Sequence, residues 1–226
     1  MPKAVKKEKT SYTSSVPAVD EASRILICLA ENSPSRMNLT DICKAVDIHK
    51  SKGFSILNTL QKYGFVQKGP EEKTYSLGPG LISLSRSVLD NLDYRETISP
   101  FLETLARDTG STALFGIING NSLFVIAKYE GSQSIGVTIR LGHRFHITAG
   151  AHGKAIVAFM PEKERNKILE RDRLFFHGDS SMLDRPRLNE ELMQCRTTGY
   201  SIDIGELSPG ITAVASPVFN SQDSLI

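Results

Sequence analysis

Apolar residues in the first third of the chain recur with helical period. Val19, Ala22, Ile25, Leu26 and Leu29 share one face, which predicts an amphipathic helix ending before "ENSPS", where Pro34 and the serines break the repeat. A second helix follows, with Asn38 as its cap, Asp41 three residues on, and Leu39, Ile42 and Val46 facing inward. After a very short turn around Asp47 a third helix runs from Lys50 to Tyr63. Its buried stripe is Ile56, Leu57 and Leu60, and Gly53, one turn earlier, lets another backbone come close. "FVQKGPEEKTYSLG" then reads as two short strands around a polar turn, and residues 79–93 return to an amphipathic helix.

Beyond that helix the periodicity switches. A helix stopped by Gly110 leads into two β-rich runs separated by "NGN", a hairpin signal, and a third run, "SIGVTI" at 134–139, extends the sheet. "GAHGKAIVAFMPEKERNKILERD" predicts a helix interrupted at Pro161 and resumed. "LNEELMQCRTTG" predicts another, with a glycine stop, followed by strands "YSID" and "ITAVASPVFN". Helices alternating with antiparallel strands indicate one α+β domain. The organisation expected is a polar, Ser/Thr-rich disordered arm at 1–15, a three-helix module with a wing at 16–78, a linker helix at 79–93, and a sensor-like domain at 94–226.

Short helix, tight turn, longer helix is the helix-turn-helix plan, in which the second helix enters the major groove of duplex DNA. Away from the apolar stripe of the third helix lie Lys50, Ser51, Lys52, Phe54, Ser55 and Asn58, which offer ammonium groups for phosphates and hydroxyl or amide groups for bases. Lys68 and Lys73 flank the tip of the wing. A three-helix protein-interaction module with solvated lysines has the same local pattern. Charge adds a distinction. Residues 1–90 carry 13 Lys/Arg against 9 Asp/Glu, while 91–226 carry 14 against 16, so a basic small module precedes a slightly acidic larger one.

With 40% hydrophobic and 23% charged residues, the composition is that of a globular protein. No run approaches the roughly 18 apolar residues of a membrane span, and the basic start leads into Ser/Thr instead of a signal core, so a soluble cytoplasmic protein is expected. Cys28, Cys43 and Cys195 lack metal-ligand spacing and read as reduced thiols. The stretch "TAGAHGKAIVAF" places Gly, His and Lys at a helix start. It is no phosphate loop, because Thr148 stands where that motif needs its first glycine and Ala155 where it needs Ser or Thr. A hydrolase would have to recruit His143, His146, His152 and His177 with Asp179 or Asp203, yet no HExxH pair and no nucleophile elbow is present. No motif asks for a cofactor or a metal.

Taken in order, "TLQKYGFV", "YSLGPGLISL", "TAGAHGKAIVAF", "RTTGYSIDIGE" and "GITAVASPVF" give the chain from about Val16 to Ile226 a resemblance to the IclR family of bacterial transcription regulators. The resemblance implies a winged helix-turn-helix, a linker helix and a GAF-like effector domain. It further implies an operator of double-stranded DNA, a small organic or aromatic acid as effector, and a homodimer or a tetramer of paired dimers. In the family the small-residue turn presents backbone N–H groups at a helix start to the effector, a geometry suited to an anion. By that correspondence Ala151 and His152 are the amide donors, Asp203 is a polar pocket residue, and Val137, Phe145, Ile211 and Ala213 are walls. The chain departs from the pattern at Asp47, where glycine is usual, at Ser55, where arginine is frequent, and at "SQDSLI", about where the family begins another core strand and a final helix.

Overall fold

Asn38 ends one element and starts the next. In the computed structural model, which describes residues 15–69, 73–90, 94–132 and 139–226, it closes strand β1 (Met37–Asn38) and caps helix α2 (Leu39–Val46), its Oδ1 accepting from the Asp41 N–H at 3.0 Å. Before it, α1 (Pro17–Glu31) opens on a proline at its first position, where a missing N–H costs nothing. After it, Asp47 takes the left-handed conformation (φ 54°, ψ 59°) that the tight turn into α3 (Lys50–Lys62) demands. Asp tolerates that region at modest cost, so the usual glycine is dispensable here.

The three helices pack Ile25, Leu29, Ile42, Val46, Leu57 and Leu60 into one core, closed by Val66 and Tyr75 from strands β2 (Val66–Lys68) and β3 (Thr74–Leu77). Each such aliphatic side chain contributes about 1.5 to 3 kcal/mol by leaving water. The strands form an antiparallel sheet in the order β1-β3-β2, with Lys68 opposite Tyr75. β1 is too short for any periodicity to announce. Helix α4 (Gly80–Asp90) follows the wing. All of these lie in the first of two units, Met1–Leu92.

The second unit, Asp93–Ile226, begins with α5 (Tyr94–Thr109) laid on the hairpin of β4 (Ala113–Asn119) and β5 (Ser122–Tyr129). The run expected as the third strand falls almost wholly outside the described residues. The third place, beside β5, is held by β6 (Arg144–His146), which alternation over three residues could not reveal. Then come α6 (Gly150–Phe159), α7 (Glu162–Leu169), a 3-10 turn (Ser180–Met182), α8 (Arg185–Thr198), and the antiparallel pair β7 (Ser201–Ile204) and β8 (Thr212–Ala215). The last strand ends earlier than the pattern "ITAVASPVFN" predicts, just before Ser216 and Pro217.

Helix α6 is the centre of this unit. All its residues except His152 and Phe159 are buried, because its glycines and alanines let α8, β7 and β8 approach on several sides. Ile156 and Val157 join Ile147, Leu174, Phe176, Leu188 and Leu192 in the core around it.

Candidate functional site

The candidate DNA contacts are all exposed residues of the first unit. Lys50, Ser51, Lys52, Phe54, Ser55 and Asn58 lie on α3 opposite Ile56, Leu57 and Leu60. Their surroundings differ. Lys50 has no ion pair among the described residues, whereas the Lys52 ammonium is 2.6 Å from Glu21 of α1. Ser55 donates its hydroxyl to the Ser51 carbonyl, so its own oxygen remains an open acceptor. Lys68 lies over the Tyr75 ring, and Lys73 sits at positive φ (49°) where the wing resumes after residues 70–72. Gly53 is buried against α2, and a Cβ there would run into Cys43 Sγ, so the helix pair closes at that point only with glycine. Two contributors escaped the sequence reading. Arg24 of α1 donates to the Val46 carbonyl at the end of α2, and Arg36, beside Gly69 of the wing, adds an exposed cation.

The turn into α6 is pinned by Thr148, which is wholly buried. Its hydroxyl bonds His146 Nδ1 at 2.8 Å and accepts from the Phe175 N–H at 3.1 Å, tying β6 to the segment after α7. Gly153 fits because a Cβ there would strike the Thr148 backbone. In the first turn the Gly150 N–H goes to the Phe175 carbonyl and the Gly153 N–H to the Ala149 carbonyl. The Ala151 and His152 N–H groups find no acceptor among the described residues. Two donors at the positive end of a helix, one of them on a residue only 2% exposed, are a place for an anion.

Around these amides the structure brings together Phe145, whose ring packs on His152 with centroids 4.6 Å apart, and Asp203, 3% exposed, whose carboxylate stands beside Gly150. Asp203 is already employed, accepting from the Glu206 and Leu207 N–H groups at 3.1 and 3.2 Å and so shaping the loop after β7. Ala213 pairs with Asp203 across β7 and β8 and is exposed, and half-buried Ile211 precedes it, accepting from the Gly205 N–H. Val137 lies outside the described residues. A shallow depression of about 460 Å³ on α5, lined by Pro100, Phe101, Thr104, Leu105 and Asp108, involves none of these residues.

One turn into α6 lies an ion network that no local pattern announces. Lys154, 1% exposed, has its ammonium 2.9 Å from Glu191 of α8, 3.1 Å from Glu206 and 3.4 Å from the Ile202 carbonyl. Arg187 bridges the same two carboxylates at 3.0 and 2.5 Å, and His177 Nε2 is 2.9 Å from Glu191. Because His177 Nδ1 accepts from the Asp184 N–H, a neutral ring carries its proton on Nε2 and donates to Glu191. Burial alone would raise both glutamates. The bonds from His177 and Lys154 to Glu191, and from Lys154 and Arg187 to Glu206, outweigh it and hold both below the usual carboxylate range. His177, Glu191 and Glu206 present a metal-like donor set, yet the Lys154 ammonium bonds both carboxylates where a cation would stand. Of the residues a hydrolase would recruit, Asp179 is an exposed cap on Ser181, His177 holds Glu191, and Asp203 holds its own loop.

Residues 18–70 match the IclR helix-turn-helix domain, and residues 86–226 match the bacterial transcriptional regulator IclR C-terminal domain. The chain is 32% identical over 211 residues to the HTH-type transcriptional regulator XynR of Escherichia coli K12, covering 93% of this chain and 83% of that one. It is 29% identical over 203 residues to BhcR of Paracoccus denitrificans, covering 90% of this chain and 72% of that protein. Among solved structures, an IclR regulator from Alicyclobacillus acidocaldarius superposes with a TM-score of 0.80 at 29% identity, over 94% of this chain and 85% of the other. An IclR homologue from Microbacterium hydrocarbonoxydans, complexed with 4-hydroxybenzoate, shares the fold at a TM-score of 0.74 and 16% identity, over 92% and 85%. No helix among the described residues is long and apolar enough to cross a membrane. The helix-turn-helix, the sensor-like second unit and these matches agree: the chain belongs to the IclR family of bacterial transcriptional regulators, a DNA-binding protein and not an enzyme.

Proposed function

We propose that this regulator reads a duplex operator through α3 and the wing, as a dimer joined by α4, and that a small carboxylate-bearing metabolite tunes that binding from the second unit. Ser51, Ser55 and Asn58 read bases, Lys50, Lys52, Lys68 and Lys73 hold phosphates, and Phe54, 45% exposed, supplies apolar contact in the groove. The effector carboxylate docks on the Ala151 and His152 N–H groups, with Phe145, Ile211 and Ala213 around its apolar body and Asp203 holding the loop that closes over it.

The observation that carries the effector reading is the pair of acceptor-free amides at the start of α6. The neighbouring charges do not substitute for them. Lys154 is paired with two glutamates, and the Asp203 carboxylate already accepts from its own loop, so attraction for a carboxylate comes from the amides and the helix end. Each charge-assisted hydrogen bond there is worth about 1.5 to 3 kcal/mol.

Ala151→Pro tests this reading, because proline removes one N–H and adds no charge at a first-turn position that tolerates it. Titration calorimetry with small carboxylic acids should show affinity falling by about 10- to 100-fold. Effector-free operator affinity should stay within about twofold of the parent. Equal acid affinity in variant and parent would make the turn purely structural.

A further inference from the structure

One group in the α6 turn goes unused by amide binding: the His152 ring. Its Nε2 is buried and has no hydrogen-bond partner among the described residues. The ring packs on Phe145, which in turn meets the His143 ring at a centroid distance of 4.4 Å. Burial pushes the pKa of the ring down to about 4, against a raising contribution from the His146 backbone, and the His143 and His146 rings act in the same direction as burial. At neutral pH the ring is therefore uncharged, and Nε2 is a buried polar atom left unmet, an acceptor when bare and a donor when it carries the proton. Such an atom left unpaired is costly, and a ligand hydroxyl, which can donate or accept, is selected over a ligand that lacks it.

We propose that His152 Nε2 is a specificity-determining group that hydrogen-bonds a hydroxyl of the effector, so that the regulator selects hydroxylated carboxylic acids over their deoxy counterparts. This rests on the effector reading above, in which the same residue's N–H holds the carboxylate. One residue then reads both ends of the ligand's polar pattern, the anion through its backbone and the hydroxyl through its side chain. A hydroxyl fits better than an ammonium, because a hydroxyl pairs with Nε2 whether or not that atom carries the proton, whereas an ammonium can only donate.

The test compares acids that differ by one hydroxyl: benzoate with 3- and 4-hydroxybenzoate, and propionate with 2-hydroxypropionate, titrated into the full chain and into His152→Phe. The parent should bind at least one hydroxylated acid tenfold or more above its deoxy counterpart. His152→Phe keeps an aromatic ring against Phe145 and should bring that pair within twofold. A nitrogen-15 histidine spectrum of the parent needs no variant and should show the His152 Nε2 resonance move on addition of the hydroxylated acid and not of its deoxy counterpart. The inference fails if the parent binds both members of every pair equally, if the preference survives in His152→Phe, or if the Nε2 resonance does not respond to the hydroxyl. Acids bound without hydroxyl preference, yet weakened by Ala151→Pro, would overturn this inference alone. A parent that binds none of the acids at millimolar concentration would overturn the effector reading with it.

Discussion

A lysine with 1% exposure is an expensive residue, and Lys154 persists because three acceptors surround it. Removing the ammonium alone strands two carboxylates that Arg187 satisfies only from one side. Lys154→Met should therefore destabilise the second unit by about 3 kcal/mol, read as a lowered denaturant midpoint at pH 7. The acid dependence has a definite sign. Glu191 and Glu206 have folded pKa values below the ordinary one, so their contribution is complete above the usual carboxylate range and is lost as pH falls through their lower folded values. The parent should lose stability steeply below about pH 4.3, and Lys154→Met less steeply, since much of what lowers the two pKa values is gone. Parallel acid slopes in parent and variant would show that the ammonium is not the cause. From sequence, Lys154 read only as part of a helix start. Glu206 lies 52 positions on, and no local period links a charge to a partner across that distance.

Elements with their own period and punctuation were legible before any coordinates. The stripes of α1, α2 and α3, the Asn38 cap, the Asp47 turn and the glycine-stopped α8 all sit where local chemistry puts them. β1 and β6, two and three residues long, owe their existence to the strands they pair with, so a reading by alternation passes over them. The same holds for Lys52, whose pair with Glu21 joins α3 to α1. Two predictions follow from how these helices meet. Gly53→Ala should cost about 1 to 3 kcal/mol by driving a methyl into Cys43 Sγ, and Cys43→Ala should recover most of it in the double variant. If the losses simply add, the two sites are not in contact. On DNA, Lys50→Ala should reduce the log–log salt slope by roughly one unit. Lys52→Ala should reduce it less, because its ammonium is already paired with Glu21, and an equal loss would mean that the operator draws Lys52 away from its partner.

At the scale of the whole molecule the two units divide labour by charge as well as by fold, the first ninety residues carrying the net positive charge that a polyanion requires. A single recognition helix reads only a few base pairs, so useful specificity requires two copies with half-sites about one helical turn, roughly 34 Å, or a multiple apart. The surface suited to joining them is α4, which exposes Ile82, Leu84 and Val88 by 69, 51 and 59% within eleven residues. Leu84 and Val88, one turn apart, share a face of this short helix and form an apolar surface that a second copy can bury. Leu84→Asp with Val88→Asp places charge on that surface without touching the core of α1, α2 and α3, so the monomer should remain folded. Sedimentation at micromolar concentration should find the parent as a dimer or larger and the double variant as a monomer. Operator affinity should fall by about 100-fold or more as the second half-site contact is lost, since linking two binding modules raises avidity by 10² to 10⁴. Acid binding, which belongs to the other unit, should be unchanged. A double variant that sediments like the parent would place the dimer contact elsewhere, and one that is monomeric yet binds the operator as tightly would show that a single copy carries the recognition.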